Sequence, residues 1–486
     1  MNDFIKAEIA KPNPKSTINS YRSFGYNLST AIADIIDNSI SSNANEICIE
    51  YNWKGEDSFI SIFDNGIGMN KEELVLAMTP GSKDPEEERN EKDLGRFGMG
   101  LKTASFSQCK RLTCITKKIN YSTIKRCWDI DFINKENEWQ LLDYVSDYSF
   151  FDKINNQKSG TLVLWQKLDR IVGNTDSSNE TVKNAFYQEM MNVKVHLSLV
   201  FHKFIESKRI KLFFQNEEIE PYNPFLLNLN PKPEMGLPEK FGNVEITYFI
   251  LPHMSEIGKS EYENSGGSLG WFQEQGFYIY RGDRLLVAGD WLGLEKKRDY
   301  SKLARIAVSF SNENDFNWHL DIKKSTANPP IEIRRELSRI AKIAIMKSAK
   351  IYNWRGQKTV SENSITNHES LWTDEKTREG IKKYKINREH PIIKSLLDEN
   401  SKLTRKALKL LEENVPIELI LNNQNEDPSF HELEKVTEKP SDELINLAME
   451  LYKINISQGI PKDLSKQQIM NAVPFSLYPL INEFLK

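Results

Sequence analysis

The chain has 486 residues, 39% of them hydrophobic and 28% charged, and its mean hydropathy of -0.55 excludes disordered and fibrous classes. Lys and Arg number 65 against 69 Asp and Glu, a formal net charge of -4, which argues against a wholesale polyanion binder while leaving room for a local basic face. Cys48, Cys109, Cys114 and Cys127 form no CxxC pair, and the seven histidines show no HxxxH or HExxH pattern, so neither a disulfide scaffold nor a zinc site is expected. The N-terminus MNDFIKAEIAKPNPK is too polar for a signal peptide. No run approaches the ~18 apolar residues of a membrane span, so no membrane partner and a cytoplasmic location are expected.

At roughly 150 residues per domain the length suggests about three domains. Residues 1–26 read as a polar arm. NLSTAIADIIDNSISS follows, with Ile32, Ile35, Ile36 and Ile40 at helical spacing and Ser29 placed to cap the helix. Its opposite face carries Asp34, Asp37 and Asn38. Two strand-like runs, Glu46 to Tyr51 and Ser58 to Phe63, lead into DNGIGM at 64–69. A charge-dense stretch from Gly81 to Asp93, then LGRFGMGLKTASFS, then alternating strand-like material run on to GTLVLW at 160–165. The loop VGNTDSSNE at 172–180 marks the first expected domain boundary. Beyond it lie a helix-like stretch near 181–206, the strands RIKLFF and GFYIYR, the segment NWHLDIKKSTANPP at 317–330, and a basic helix from about Ile331 to Ile351.

Four of these segments carry chemistry. In DNGIGM a hydrophobic strand delivers Asp64 to its end, and Gly66 and Gly68 bend the chain behind it; alone this is also what an ordinary Asn-Gly turn looks like. In LGRFGMGLKTASFS, Gly95, Gly98 and Gly100 remove side chains where backbone must approach a ligand, and Lys102 supplies a point charge ahead of a helix whose free N–H groups suit phosphate. The spacing is not GxxxxGK[ST], so this is not a P-loop. On the first helix, Asp34 and Asn38 lie four residues apart and Asp34 and Asp37 three, which aims carboxylates and an amide at one spot. A carboxylate there can orient water as a base, and an amide oxygen can ligate Mg²⁺. Gly160 and Thr161 put a small residue and a hydroxyl at the entry to a hydrophobic strand.

Taken in order, these segments resemble the GHKL ATPase superfamily, which includes DNA gyrase B, the ninety-kilodalton heat-shock chaperone, histidine kinases and the mismatch-repair protein MutL. The resemblance implies an α+β chain: a Bergerat ATPase sandwich over residues 1–175, an α/β transducer domain over 176–350, and a mainly helical region over 351–486. It implies ATP and Mg²⁺ as cofactors, with Asn38 as the magnesium ligand and Asp64 as the acceptor of the adenine amino group. Gly66, Gly68 and Met69 would shape the adenine pocket, Thr161 would lie beside the base, and Gly95, Gly98, Gly100 and Lys102 would wrap the phosphates. Gly81, Ser82 and Lys83 would belong to the mobile lid.

The family's first motif usually has Glu four residues before the Asn, where this chain has Asp34. Loss of a methylene retracts the carboxylate by about one bond length, so slow hydrolysis is expected if Asp34 is the general base. Within the superfamily the pattern resembles bacterial MORC-like proteins, some of which occur beside restriction or phage-defence genes. GFYIYRGDRLL resembles a MORC and MutL strand pattern, and NWHLDIKKSTANPP a segment whose lysine, here Lys323 or Lys324, reaches the γ-phosphate. His196 and His202 lie on an apolar helical pattern and read as core or surface histidines. Arg334, Arg335, Arg339, Lys342, Lys347, Lys350, Arg355 and Lys358 face only Glu332 and Glu336, and KTREGIKKYKINR at 376–388 adds more positive charge. Residues 331–388 are thus a candidate DNA surface, read equally well as ordinary solvated charge. Two readings follow: an ATP-driven dimerising clamp acting on DNA, with an effector protein as a further partner, or a chaperone- or scaffold-like ATP-dependent protein binder.

Overall fold

The computed structural model describes residues 12–82, 100–267, 269–311, 318, 328–358, 371–376, 382–388, 390–398, 402–413, 440, 442–457, 459–471, 475 and 478–485. The chain divides into two compact units, Met1–Asn353 and Trp354–Lys486. Two sheets make up the first unit.

The first sheet begins after two helices, α1 (Pro14–Arg22) and α2 (Leu28–Ser41). Along the chain follow β1 (Glu46–Asn52), β2 (Phe59–Asp64), α3 (Lys71–Met78), α4 (Gly100–Gln108), β3 (Arg111–Lys117), β4 (Ile124–Asp129), α5 (Ile130–Glu136), α6 (Tyr148–Asn155), β5 (Gly160–Gln166), α7 (Glu180–Val200), α8 (His202–Glu206), β6 (Lys211–Phe214) and β7 (Glu217–Glu218). The seven strands lie in the order β4-β3-β5-β2-β1-β6-β7. All neighbours are antiparallel except β1 and β6. The period-two alternation of the strands decides the two faces. Ile60, Ile62, Val163 and Trp165 join Ile18 of α1, Ile32, Ile35 and Ile36 of α2, Phe106 of α4, and Phe186 and Met190 of α7 in one core. Ile115, Leu162 and Leu164 project oppositely and pack with Val145 and Ile154 of the α6 layer. A helix layer on a mixed sheet is the sandwich that the sequence predicts.

Three details differ from the sequence expectations. The supposed arm holds α1, capped by Asn13, whose side chain accepts from the Ser16 amide, with Pro14 in the first turn where its missing N–H costs nothing. Helix α2 starts one residue before Ser29: Asn27 is its N-cap, accepting from the Thr30 amide at 2.8 Å and from the Thr30 hydroxyl at 2.9 Å. The boundary expected at residue 175 falls inside this layer. Residues 172–180 only connect β5 to α7, which is capped by Asn179, and the chain then returns to set β6 parallel to β1.

The second sheet contains β8 (Glu234–Met235), β9 (Glu239–Phe241), β10 (Val244–Ile250), the short helices α9 (Met254–Ile257), α10 (Lys259–Ser265) and α11 (Gly270–Gln273), then β11 (Gly276–Arg281), β12 (Arg284–Asp290), β13 (Ala304–Phe310) and α12 (Ile331–Lys358). Strand order is β12-β11-β13-β10-β8, with β9 also on β10. Leu337, Ile340, Ala341 and Ala344 form the apolar stripe of α12 and bury against Ile246, Ile279, Ile306 and Val308. This helix runs to Lys358, some 42 Å at 1.5 Å per residue.

The second unit is helical, with α13 (Pro391–Asp398), α14 (Lys402–Glu413) and helices at Asp442–Ser457 and Lys462–Asn471, but it also contains an antiparallel hairpin that the sequence did not announce, β14 (Trp372–Lys376) with β15 (Lys382–Ile386). Among the described residues no helix is long and apolar enough to cross a membrane.

His202 is fully buried where α8 meets the second sheet. Its Nδ1 lies 2.7 Å from the Leu199 carbonyl and its Nε2 3.4 Å from the Tyr280 hydroxyl, a neutral tautomer with both nitrogens used. Burial pushes its pKa down from 6.5 to about 4. Between these values the unfolded chain binds the proton and the folded chain does not, so stability is complete above pH 6.5 and is lost as the pH falls toward 4. The loss is on the order of 3 kcal/mol for this group. Thermal unfolding followed from pH 7 to 4.5 should show this fall, and His202→Leu should show a shallower one.

Candidate functional site

The site is built from the C-terminal end of β2. Asp64, the last residue of that strand, is only 5% exposed. Its Oδ2 accepts from the Ser39 hydroxyl of α2 at 2.9 Å, and its Oδ1 accepts from the Gly66 amide at 2.9 Å. Burial raises its pKa above the ordinary carboxylate value, opposed by the hydrogen bonds from Gly66, Ser39 and the Thr161 backbone. Asp64 pairs with Thr161 of β5, and Thr161 with Thr116 of β3, so three adjacent strands end in one polar group. The Thr116 and Thr161 hydroxyls lie 3.0 Å apart, and Thr116 Oγ1 also accepts from the Met69 amide at 3.0 Å.

Two glycines make this turn fit. A Cβ on Gly66 would lie 2.3 Å from Ser42 Oγ and 2.9 Å from Asp64 Oδ1. Gly68 has φ +66°, and a Cβ there would fall 1.9 Å from the Lys117 carbonyl oxygen. The turn is therefore pressed between α2 and the end of β3: contact requires glycine at both positions, and at Gly68 the backbone conformation requires it as well. The cradle fits a flat, polar-edged ligand: a fixed buried acceptor, hydroxyls beside it and backbone close enough to exclude water.

Helix α2 lines the same place. Asp34 is 3% exposed, and its Oδ2 accepts from the Tyr26 hydroxyl at 2.8 Å. Gly100, the first residue of α4, is next to it, with its Cβ position 3.8 Å from Asp34 Oδ2. Asn38 is exposed one turn further along, while Ser39 is turned inward to Asp64. An exposed amide near a single carboxylate fits Mg²⁺, which takes one or two protein oxygens and otherwise phosphates and water. Among the described residues no group of three His, Cys, Asp or Glu side chains could hold a metal by itself.

Other expected site residues have partners of their own. Asp37, one turn on from Asp34, is fully buried, and its Oδ1 accepts from Arg284 Nε at 2.9 Å. Lys102 is 2% exposed and donates to the Ala77 carbonyl at 2.9 Å, at the C-terminal end of α3, where a cation is welcome. Gly81 has φ +66° with open space around its Cβ position, and Ser82 follows it. Lys83, Gly95, Gly98, Lys323 and Lys324 lie outside the described residues. Sequence reasoning missed Tyr26, Ser39 and Thr116. Ser39 had a signal, its place next to Asn38 on the helix, whereas Thr116 joins the site only through strand order.

The cis-strand contacts make one expectation specific. Gly68→Ala must push back the β3 end, a backbone clash of the overpacking kind that costs about 1–3 kcal/mol or more. The variant should lose nucleotide binding in equilibrium dialysis while a control at the exposed Lys135, Lys135→Ala, keeps it.

Known proteins resemble part of this chain. Residues 26–161 match the family described as histidine kinase-, DNA gyrase B- and HSP90-like ATPases, an interval that runs from Tyr26 to Thr161. The ATPase morc-1 of Caenorhabditis elegans is 32% identical over 89 residues, which cover 18% of this chain and 10% of that protein. The match thus spans about a tenth of that relative's length. Residues 26–161 thus form a domain similar to those of histidine kinase-, DNA gyrase B- and HSP90-like ATPases, and a stretch of the chain is similar to a MORC ATPase.

Proposed function

We propose that this chain is an ATP-driven conformational switch. The observation that carries the proposal is the buried Asp64 carboxylate, held by Ser39 of the same helix that presents Asp34 and Asn38. In this reading the free lone pairs of Asp64 accept the adenine amino group, Thr161 lies at the base edge, Gly66, Gly68 and Met69 form the wall, and the segment with Gly95, Gly98 and Gly100 covers the phosphates. Asn38 would ligate Mg²⁺, which when bound neutralises phosphate charge. Asp34 is the general base. The Tyr26 hydroxyl fixes one of its oxygens, which orients the carboxylate, and its short side chain makes turnover slow. Lys102 keeps one of its three donors on the Ala77 carbonyl and would offer another to phosphate. Lys323 or Lys324 would add a further cation.

ATP would dimerise the chain, the second sheet with α12 would act as the transducer that relays its state, and residues 351–486 would engage the client. DNA bound along 331–388 is the first client reading. Arg334, Arg335, Lys342 and Lys350 are exposed on α12 and suit it. A protein client is favoured by a different observation: Arg339 pairs with Glu239 and Glu336, Lys347 with Glu234, and Arg388 with Glu412, and paired cations release few counterions.

Three measurements test the reading. Asp34→Asn should lower hydrolysis by about 100-fold or more and spare ATP binding, while Asp64→Asn should lose binding itself; unchanged turnover in Asp34→Asn removes that residue from the role. In sedimentation, a non-hydrolysable analogue should shift the chain from monomer to dimer, and no shift refutes the clamp. DNA affinity should fall steeply between 50 and 200 mM salt; negligible binding throughout selects the protein client.

A further inference from the structure

The β11–β12 hairpin of the second sheet reaches α2. Arg284 opens β12 and donates its Nε–H to Asp37 Oδ1 at 2.9 Å, with the two side chains 6% and 1% exposed. The guanidinium lies over the Phe201 ring, 4.8 Å from its centroid, at the join of α7 and α8. Next to it Asp283 pairs with Arg209, just ahead of β6. The hairpin tip is therefore tied to the first sheet at two points, one of them buried in α2 itself.

A buried ion pair is a weak stabiliser, because desolvation offsets most of its attraction, but it fixes a register that apolar packing leaves loose. What it fixes here is one helical turn. Asp37 lies one turn after Asp34, immediately before Asn38 and two residues before Ser39, which bonds Asp64. A helix turn moves as a body, so a displacement of the hairpin reaches Asp34 and Asn38 without any contact between Arg284 and the nucleotide.

We infer that Arg284 is a positioning residue of the nucleotide site, acting through Asp37 to hold α2, and that this strut links the state of the site to the second sheet. The inference rests on the reading of α2 as the helix that carries the ATPase groups. Coupling of this kind is reciprocal, so binding at the site must also be felt at the hairpin.

The test uses the full chain. In the native protein, a non-hydrolysable ATP analogue should change amide hydrogen exchange at residues 284–290 as well as around Asp64. Arg284→Gln should lower kcat at least about tenfold, the scale of a small misplacement of reacting groups, with KM for ATP changed far less, and Arg284→Lys should recover part of the loss. Because removal of one member of a buried ion pair is strongly destabilising, Asp37→Asn/Arg284→Gln supplies a neutral pair. If it folds, it should still bind ATP and hydrolyse it slowly. A merely structural pair would shift the unfolding temperature and leave kcat and the exchange pattern unchanged, and either native kcat in the folded double variant or unaltered exchange at 284–290 on binding overturns the strut. Absence of Asp64-dependent ATP binding in the native chain overturns the functional reading itself.

Discussion

A carboxylate taken out of water at the end of a strand must be hydrogen-bonded, and most of the first domain can be read as the means of doing this for Asp64. Without partners the buried charge would cost several kcal/mol. Ser39 supplies one hydrogen bond and thereby fixes where α2 crosses β2. Gly66 supplies another and thereby fixes the turn after β2. The turn in turn demands that no side chain intrude at residues 66 and 68, where Ser42 and Lys117 stand. The bonding leaves acceptor capacity on the carboxylate, and a recognition group with capacity left over is what a ligand needs.

Helix α2 is the element through which these demands meet. Its isoleucines bury toward the sheet, Ser39 is bound to the carboxylate, Asp34 to Tyr26, and Asp37 to the second sheet. Only Asn38 of this turn is exposed. The helix thus has almost no rotational freedom, and the groups on this turn are held in one register.

Much of this was legible in the sequence, and the exceptions have physical reasons. Asp64 could be found because a hydrophobic run ending in Asp-Asn-Gly is a local pattern, and the isoleucine spacing of α2 gave its inward face. Thr116 could not be found, since nothing local says that β3 lies beside β5. The partner of Asp37 could not be found, because helical spacing gives the direction of a side chain and not what stands there, and Arg284 comes from a distant hairpin. Lys102 was read from its glycine neighbours, but the Ala77 carbonyl that it meets belongs to another helix. The connection at 172–180 has linker chemistry and yet no domain ends there, because the parallel pairing of β6 with β1 is invisible to composition.

That parallel pairing has a consequence for how the domain comes into being. The edge of β1 stays open until residues 211–214 have been made and brought back to it, long after the Asp64 turn and the strands on its other side are available. Closing so long a loop is slow and entropically costly. During synthesis the β1 edge of the nascent sheet is therefore left unpaired, the kind of edge that other chains can join. A fragment cut at residue 175 would keep that edge open, whereas one that runs through β6 covers it.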